Sequence, residues 1–210
     1  MKKIKLLFQG DSITHGFRNE DDCHDLGIRY VKFAAALIKD AYPDVEFEFI
    51  NQGISGNRTC QLFDRLYTDA MAFEPDIVSI LIGINDIWHR HGSSKIETTD
   101  AQVETNYRAI LERLKNQTNA KIVILAPFLL DDENKEVWRP EVDKVLEIVR
   151  RLADEYADAY IPLDEHFAEA LKTQPEPLYY SKDGVHPNEN GRAFIGKLYA
   201  EAVKPLINSL

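Results

Sequence analysis

Short apolar runs alternate with amphipathic stretches along the whole chain. Five of the runs are β-branched or aromatic, and several are bounded by Gly, Pro or Asn: residues 4–9, 46–51, 77–82, 121–126 and 159–162. A short apolar run between turn-forming residues predicts a buried strand. Between these runs the apolar positions recur three and four residues apart, the spacing of one helix face. Tyr30, Phe33, Ala34, Leu37, Ile38 and Ala41 make one such stripe; Val103, Tyr107, Ile110, Leu111 and Leu114 make another. The clearest runs from Val142 through Val145, Leu146, Val149, Leu152 and Ala153 to Tyr156. A last helix is predicted from near Pro187 to about Lys204, because proline suits a first helical position.

Strands alternating with helices imply a parallel sheet covered on both faces. Five strands predict an α/β fold, a three-layer, flavodoxin-like α/β/α sandwich with strand order 2-1-3-4-5. No internal repeat, low-complexity tract or linker interrupts the 210 residues, so one domain over 1–210 is expected. Long polar stretches follow the first strand (residues 13–27), the third (87–98) and the fourth (127–136). All three leave carboxyl ends of strands, the edge where ligands bind in open sheets.

Composition narrows the partners. A 44% hydrophobic and 29% charged chain is ordinary for a globular protein. A formal net charge of -10 offers no basic excess for nucleic acid or an anionic membrane, which leaves a small-molecule partner as the expectation. Cys23 and Cys60 lie in no C-x-x-C pair and read as free thiols of a reducing compartment. The start from Met1 to Phe8 looks briefly like a signal peptide, but its apolar run is too short and Lys5 interrupts it. With no 18-residue apolar stretch in view, a cytoplasmic protein is the default, with non-classical export left open.

Four short motifs fall on the predicted rim. Gly10-Asp11-Ser12 follows strand one, and Gly53 follows strand two within Asn51-Gln52-Gly53-Ile54-Ser55-Gly56-Asn57. Gly83-Ile84-Asn85-Asp86 follows strand three, and Asp183-Gly184-Val185-His186 precedes the last helix. Together they resemble the blocks of the SGNH, or GDSL-type, esterase and lipase family, in order and across nearly the whole chain. The resemblance implies a Ser12, His186 and Asp183 triad, and an oxyanion hole made of the Ser12 and Gly53 backbone N–H groups and the Asn85 amide. A serine hydroxyl is a poor nucleophile until a base takes its proton. Asp183, three residues before His186, can fix the imidazole tautomer so that Nε2 faces the serine. Each motif alone also has a plain structural reading: Ser12 as a cap, Gly53 and Gly83 as strand-end glycines, Asn85 as a turn residue, His186 as a packed histidine. The four together favour catalysis, with no cofactor and no metal required.

Asp11 and Asp86 read as loop-orienting carboxylates, and Asp11 also enters the candidate substrate-binding set with Trp88, Phe128, Trp138 and Tyr180. Rings near the rim, these four and Tyr179, could stack on a sugar or line an acyl pocket; plain core packing is the competing reading. His15, His24, His89 and His91 match no metal-ligand spacing, and His166 reads as structural. Within the family, residues 51–58 and 79–88 look like intracellular carbohydrate acetyl esterases, such as those acting on acetyl-xylooligosaccharides. Lys182 stands before Asp183, where some of these carry an aromatic residue. Intracellular members often assemble, so a homo-oligomer is an expectation from the resemblance. The expected activity is hydrolysis of short-chain, chiefly acetyl, esters. A short-chain lipase or thioesterase using the same residues is the alternative, and a non-catalytic binding module a second. A flavin-binding version fits poorly, because Asp11 would repel phosphate and no Gly-rich run follows strand one.

Overall fold

Leu6, Leu7 and Phe8 are all fully buried. Consecutive strand residues face opposite sides of a sheet, so a strand with such a run is covered on both faces. In the computed structural model, which describes residues 3–93 and 95–210, this strand is β1 (Lys3–Gly10). Met1, Lys2 and Ser94 lie outside the described residues, and with them the first positions of the signal-like start and one position of the 87–98 stretch. The sheet continues with β2 (Glu46–Gly53), β3 (Ile77–Leu81), β4 (Lys121–Leu125) and β5 (Ala159–Ile161), all parallel, in the expected order 2-1-3-4-5.

The chain steps one way from β1 to β2 and the other way from β3 through β4 to β5. Right-handed crossovers then send their helices to opposite faces. In chain order the helices are α1 (Ser12–His15), α2 (Tyr30–Ala41), α3 (Thr59–Asp64), α4 (Leu66–Asp69), α5 (Ile84–His91), α6 (Asp100–Gln117), α7 (Arg139–Tyr156), α8 (Leu163–Leu171) and α9 (Glu189–Asn208). On one face α2 packs against α9, and Phe8 meets Tyr30 of the first and Tyr199 of the second at ring centroids 6.1 and 5.0 Å away. Helices α6 and α7 pack against each other on the other face. Among the described residues no helix is long and apolar enough to cross a membrane.

Two expectations change. The 87–98 stretch is not all loop, because α5 occupies Ile84–His91. Its buried side includes Asn85 and Asp86 beside Ile84 and Ile87, so the apolar stripe that marks a helix is broken by site residues. The last helix starts at Glu189 rather than at Pro187. The Asn188 side chain accepts from the Asn190 and Gly191 N–H groups and so caps the helix itself. Pro187 lies outside, bridged to Ser181, and the helix runs on through Pro205 to Asn208.

The α2–α9 face carries one buried polar link. Ser79, in the middle of β3, shares a 2.6 Å hydrogen bond with the Tyr199 hydroxyl, and both residues are fully buried. Removing one partner strands the other away from water, at a cost of about 1–3 kcal/mol, whereas removing both is nearly neutral. Tyr199→Phe is therefore expected to lose about 1–3 kcal/mol in urea denaturation. The double variant Ser79→Ala/Tyr199→Phe is expected to recover most of that loss. A double variant as weak as the sum of the singles would mean that packing, not the hydroxyl pair, sets the cost.

Candidate active site

Ser12 follows β1 at once, as the first residue of α1. Asp11 caps this short helix by accepting the Ile13 N–H at 2.9 Å, and the Gly16 N–H closes it on the Ser12 carbonyl at 3.2 Å. Arg29 donates to that same carbonyl from Nη1 at 3.0 Å. The serine is thus fixed by hydrogen bonds on both sides, with its hydroxyl at the carboxyl edge of the sheet.

His186 Nε2 lies 2.9 Å from Ser12 Oγ, across 174 residues of chain. On the far side of the ring, Nδ1 lies 2.6 Å from Asp183 Oδ2. The other Asp183 oxygen accepts the Val185 and His186 backbone N–H groups at 3.1 and 2.7 Å. Burial alone would raise the Asp183 carboxyl, but the His186 side chain and these backbone donors outweigh it and hold the group well below the usual carboxylate range. The loop is itself anchored: Ser181 Oγ donates to the His186 carbonyl at 2.9 Å, and the Leu130 N–H donates to the Gly184 carbonyl at 2.9 Å. Ser12, His186 and Asp183 therefore stand as one hydrogen-bonded line.

The oxyanion assignment needs one correction. The Gly53 N–H is already taken by Asn51 Oδ1 at 3.0 Å, and a Cβ at Gly53 would lie 2.2 Å from the His15 backbone nitrogen. Gly53 is a packing glycine under α1. Gly56, three residues on, lines the same hollow as Ser12, Asn85 and His186. Its φ of +80° is a conformation that glycine adopts without strain. Among the described residues no hydrogen bond uses its N–H or that of Ser12. The Asn85 Nδ2 donates to the Asn57 carbonyl at 3.1 Å, which fixes the amide and leaves its second hydrogen free.

The hollow has a volume of about 550 Å³, and its walls include Phe17, Arg29, Trp88 and His89. Trp88 stands 5.6 Å from the His186 ring and is backed edge-on by Trp138 at 5.2 Å. Of the five aromatics proposed from the sequence, Trp88 alone is among the described residues lining this hollow, and Phe17 joins it. Trp138 is 7% exposed, beneath Trp88 and stacked on His91. Phe128 and Tyr180 are corrected to core residues: both pack on Phe167 of α8, at 4.7 and 5.5 Å, Phe128 from the 127–136 segment and Tyr180 from the turn after α8. Tyr179 is exposed and meets Tyr180 edge-on. Among the described residues no group of three or more His, Cys, Asp or Glu side chains is gathered as for a metal ion.

Two arginines and two carboxyls frame the hollow. Arg65 donates to the Gly10 carbonyl (3.1 Å), the Gln52 carbonyl (2.7 Å) and Asn57 Oδ1 (2.7 Å), so one side chain ties β1, β2 and the Gly56 loop. The carbonyls that Arg65 and Arg29 reach, those of Gly10, Gln52 and Ser12, lie 13 to 55 residues away, so no local motif signals these contacts. Asp86 accepts the Thr59 N–H and hydroxyl at 3.0 and 2.9 Å and so joins α5 to α3, the loop-orienting role expected of it. Asp11 is fully buried, and its Oδ2 has no partner among the described residues. That burial raises its pKa to about 7, against the backbone bond from Ile13 and the nearby His186 and Arg29.

The raised Asp11 pKa gives a pH dependence. Between the ordinary value of 3.8 and about 7, the folded protein keeps a proton that the unfolded chain has lost. This contribution to stability is complete below the lower value and is lost as pH rises through the upper one. Asp11→Asn carries no such proton. The stability of the parent protein minus that of the variant is expected to fall with pH between 5 and 7, by up to about 1.4 kcal/mol per pH unit. Urea denaturation at matched pH reads it, and a constant difference would show that Asp11 is ionised throughout.

The sequence pattern of the GDSL-like Lipase/Acylhydrolase family matches residues 8–194. An acetylxylan esterase from Geobacillus stearothermophilus is 31% identical over 206 residues, covering 95% of this chain and 93% of that protein. Thioesterase 1/protease 1/lysophospholipase L1 of Escherichia coli strain K12 is 26% identical over 204 residues, 97% of this chain and 85% of that one. Among solved structures, a catalytic mutant of an acetylxylan esterase from Geobacillus stearothermophilus overlays with a TM-score of 0.86 at 29% identity, covering 96% of this chain and 94% of the other. The chain belongs to the GDSL-like lipase/acylhydrolase family and is a serine ester hydrolase.

Proposed function

We propose that the protein removes short acyl groups, chiefly acetyl, from sugar esters through an acyl-serine intermediate. The Ser12–His186–Asp183 line carries this reading, with contacts of 2.9 and 2.6 Å. As Ser12 Oγ bonds to the acyl carbon, its proton passes to His186 Nε2. The ionised Asp183 stabilises the imidazolium without taking the proton. The negative charge that develops on the carbonyl oxygen meets the Ser12 N–H, the Gly56 N–H and the free Asn85 amide hydrogen. His186 then gives its proton to the departing alcohol, and later takes one from the water that releases the acid.

Acyl length follows from the walls. Polar groups and two aromatic rings line the hollow, and no aliphatic side chain is among its lining residues. An aliphatic slot matched to a longer chain would add up to ~0.8 kcal/mol of binding per methylene, whereas the apolar surface here comes from the rings of Phe17 and Trp88. The exposed side of Trp88 offers a flat surface for a sugar ring. The likeness to an acetylxylan esterase supports the same substrate class. The likeness to a thioesterase/lysophospholipase supports a second reading, hydrolysis of longer acyl esters or thioesters with the same residues. The two free cysteines, Cys23 and Cys60, fit a reducing, cytoplasmic setting.

Ser12→Ala is expected to abolish nearly all turnover while leaving the fold intact; a variant keeping a tenth of kcat, about 1.4 kcal/mol of barrier, would remove the serine from its role. Asn85→Ala is expected to lower kcat by about 10²–10³ with little change in KM. An effect on KM alone would make the amide a substrate-binding group instead. In a p-nitrophenyl ester series, kcat/KM is expected to peak at acetate, with acetylated xylose or glucose also cleaved. A steady rise from acetate to octanoate would favour the second reading.

A further inference from the structure

Phe17, Arg29 and His186 line not only the hollow at Ser12 but also a neighbouring groove of about 600 Å³. The groove therefore adjoins the reaction site, on the side of the imidazole that passes a proton to the leaving alcohol. Gly56 and Asn85, which would meet the carbonyl oxygen, line the hollow but not the groove. What lies in the groove meets the alcohol part of the ester.

The groove is cationic in an acidic chain. Arg29, Lys182 and Arg192 line it, although the sequence has 35 acidic against 25 basic residues. None of the three makes an ion pair among those found in the described residues. Arg29 and Arg192 are held by carbonyls instead, those of Ser12 at 3.0 Å and Ile28 at 2.8 Å. Arg29 is only 8% exposed, and Arg192 Nε is buried with no hydrogen-bond partner among the described residues. Two carboxylates share the wall: Asp183, which keeps its charge beside His186 and also acts on Arg29 through space, and the exposed Glu189, so three cations face two anions. A guanidinium positioned by neutral carbonyls keeps its charge for a ligand, and its planar fork suits a carboxylate or phosphate.

We infer that this groove receives an oxyanion carried on the alcohol part of the ester, so that the preferred substrate is an acylated acidic sugar. The catalytic part of the inference rests on the esterase reading of Ser12 and His186; the binding part stands apart from it and can be measured without turnover.

The test uses the intact Ser12→Ala protein with glucuronic acid, glucose 6-phosphate and neutral glucose as probes in titration calorimetry. At low salt, at least one acidic sugar is expected to bind about tenfold or more tightly than glucose. Added salt is expected to shrink that advantage. The tighter of the two acids identifies carboxylate or phosphate as the group received. Lys182 is exposed, so Lys182→Ala tests the charge without disturbing packing; it and Arg192→Gln are each expected to lower the acid-to-glucose ratio by about threefold or more. Equal binding of all three sugars, or an acid preference untouched by both substitutions, overturns the inference. A parallel assay compares acetylated methyl glucuronoside with acetylated methyl glucoside on the unsubstituted enzyme. Preference for the acid supports the inference. If neither ester is cleaved while acidic sugars still bind, the sugar-ester reading fails and the anion groove stands.

Discussion

At the carboxyl edge of a parallel sheet the outgoing loops diverge, and the carbonyls at the strand ends must find partners outside the ladder. Here a guanidinium supplies several of them. Arg65 reaches the last carbonyl of β1, a carbonyl near the end of β2, and the side chain of Asn57. These are the segments that lead into Ser12 and that carry Gly56, while the Asn57 carbonyl in turn holds the Asn85 amide. Burial works against the Arg65 charge and Asp69 supports it at 3.1 Å. Without this side chain each abandoned carbonyl would cost about 1–3 kcal/mol, and the loops would lose their common reference.

The sheet was legible in the sequence because its strands are buried on both faces. Such strands show as unbroken apolar runs, and the expected boundaries of all five fall within two residues of the observed ones. Long amphipathic helices were legible because one face alone is buried, which leaves a stripe of apolar residues at helical spacing. The short helices α1, α3, α4 and α8 were not, since four to nine residues hold too few turns to repeat a pattern. Helix α5 was hidden differently: Asn85 and Asp86 take buried positions that would otherwise carry apolar residues.

The triad and Asn85 were legible as local motifs. Gly53 and Gly56 sit three residues apart in one block, and nothing in their spacing says which keeps its N–H free. That depends on the Asn51 side chain closing onto Gly53, a feature of the folded loop. Phe128 and Tyr180 stand near rim loops in sequence, yet their rings turn into the Phe167 cluster. Arg29 and Arg65 act through carbonyls on other segments, so no short motif announces them.

The proposed nucleophile and its base are 174 positions apart, and the base sits on a short turn clipped to Leu130 and followed by the terminal helix. During synthesis the serine and the groups around the carbonyl oxygen leave the ribosome well before the imidazole does. Docking of α9 against α2 and β5 then brings that imidazole home. A nascent chain thus carries an unarmed hydroxyl until His186 has emerged and α9 has docked, and hydrolysis waits for that step.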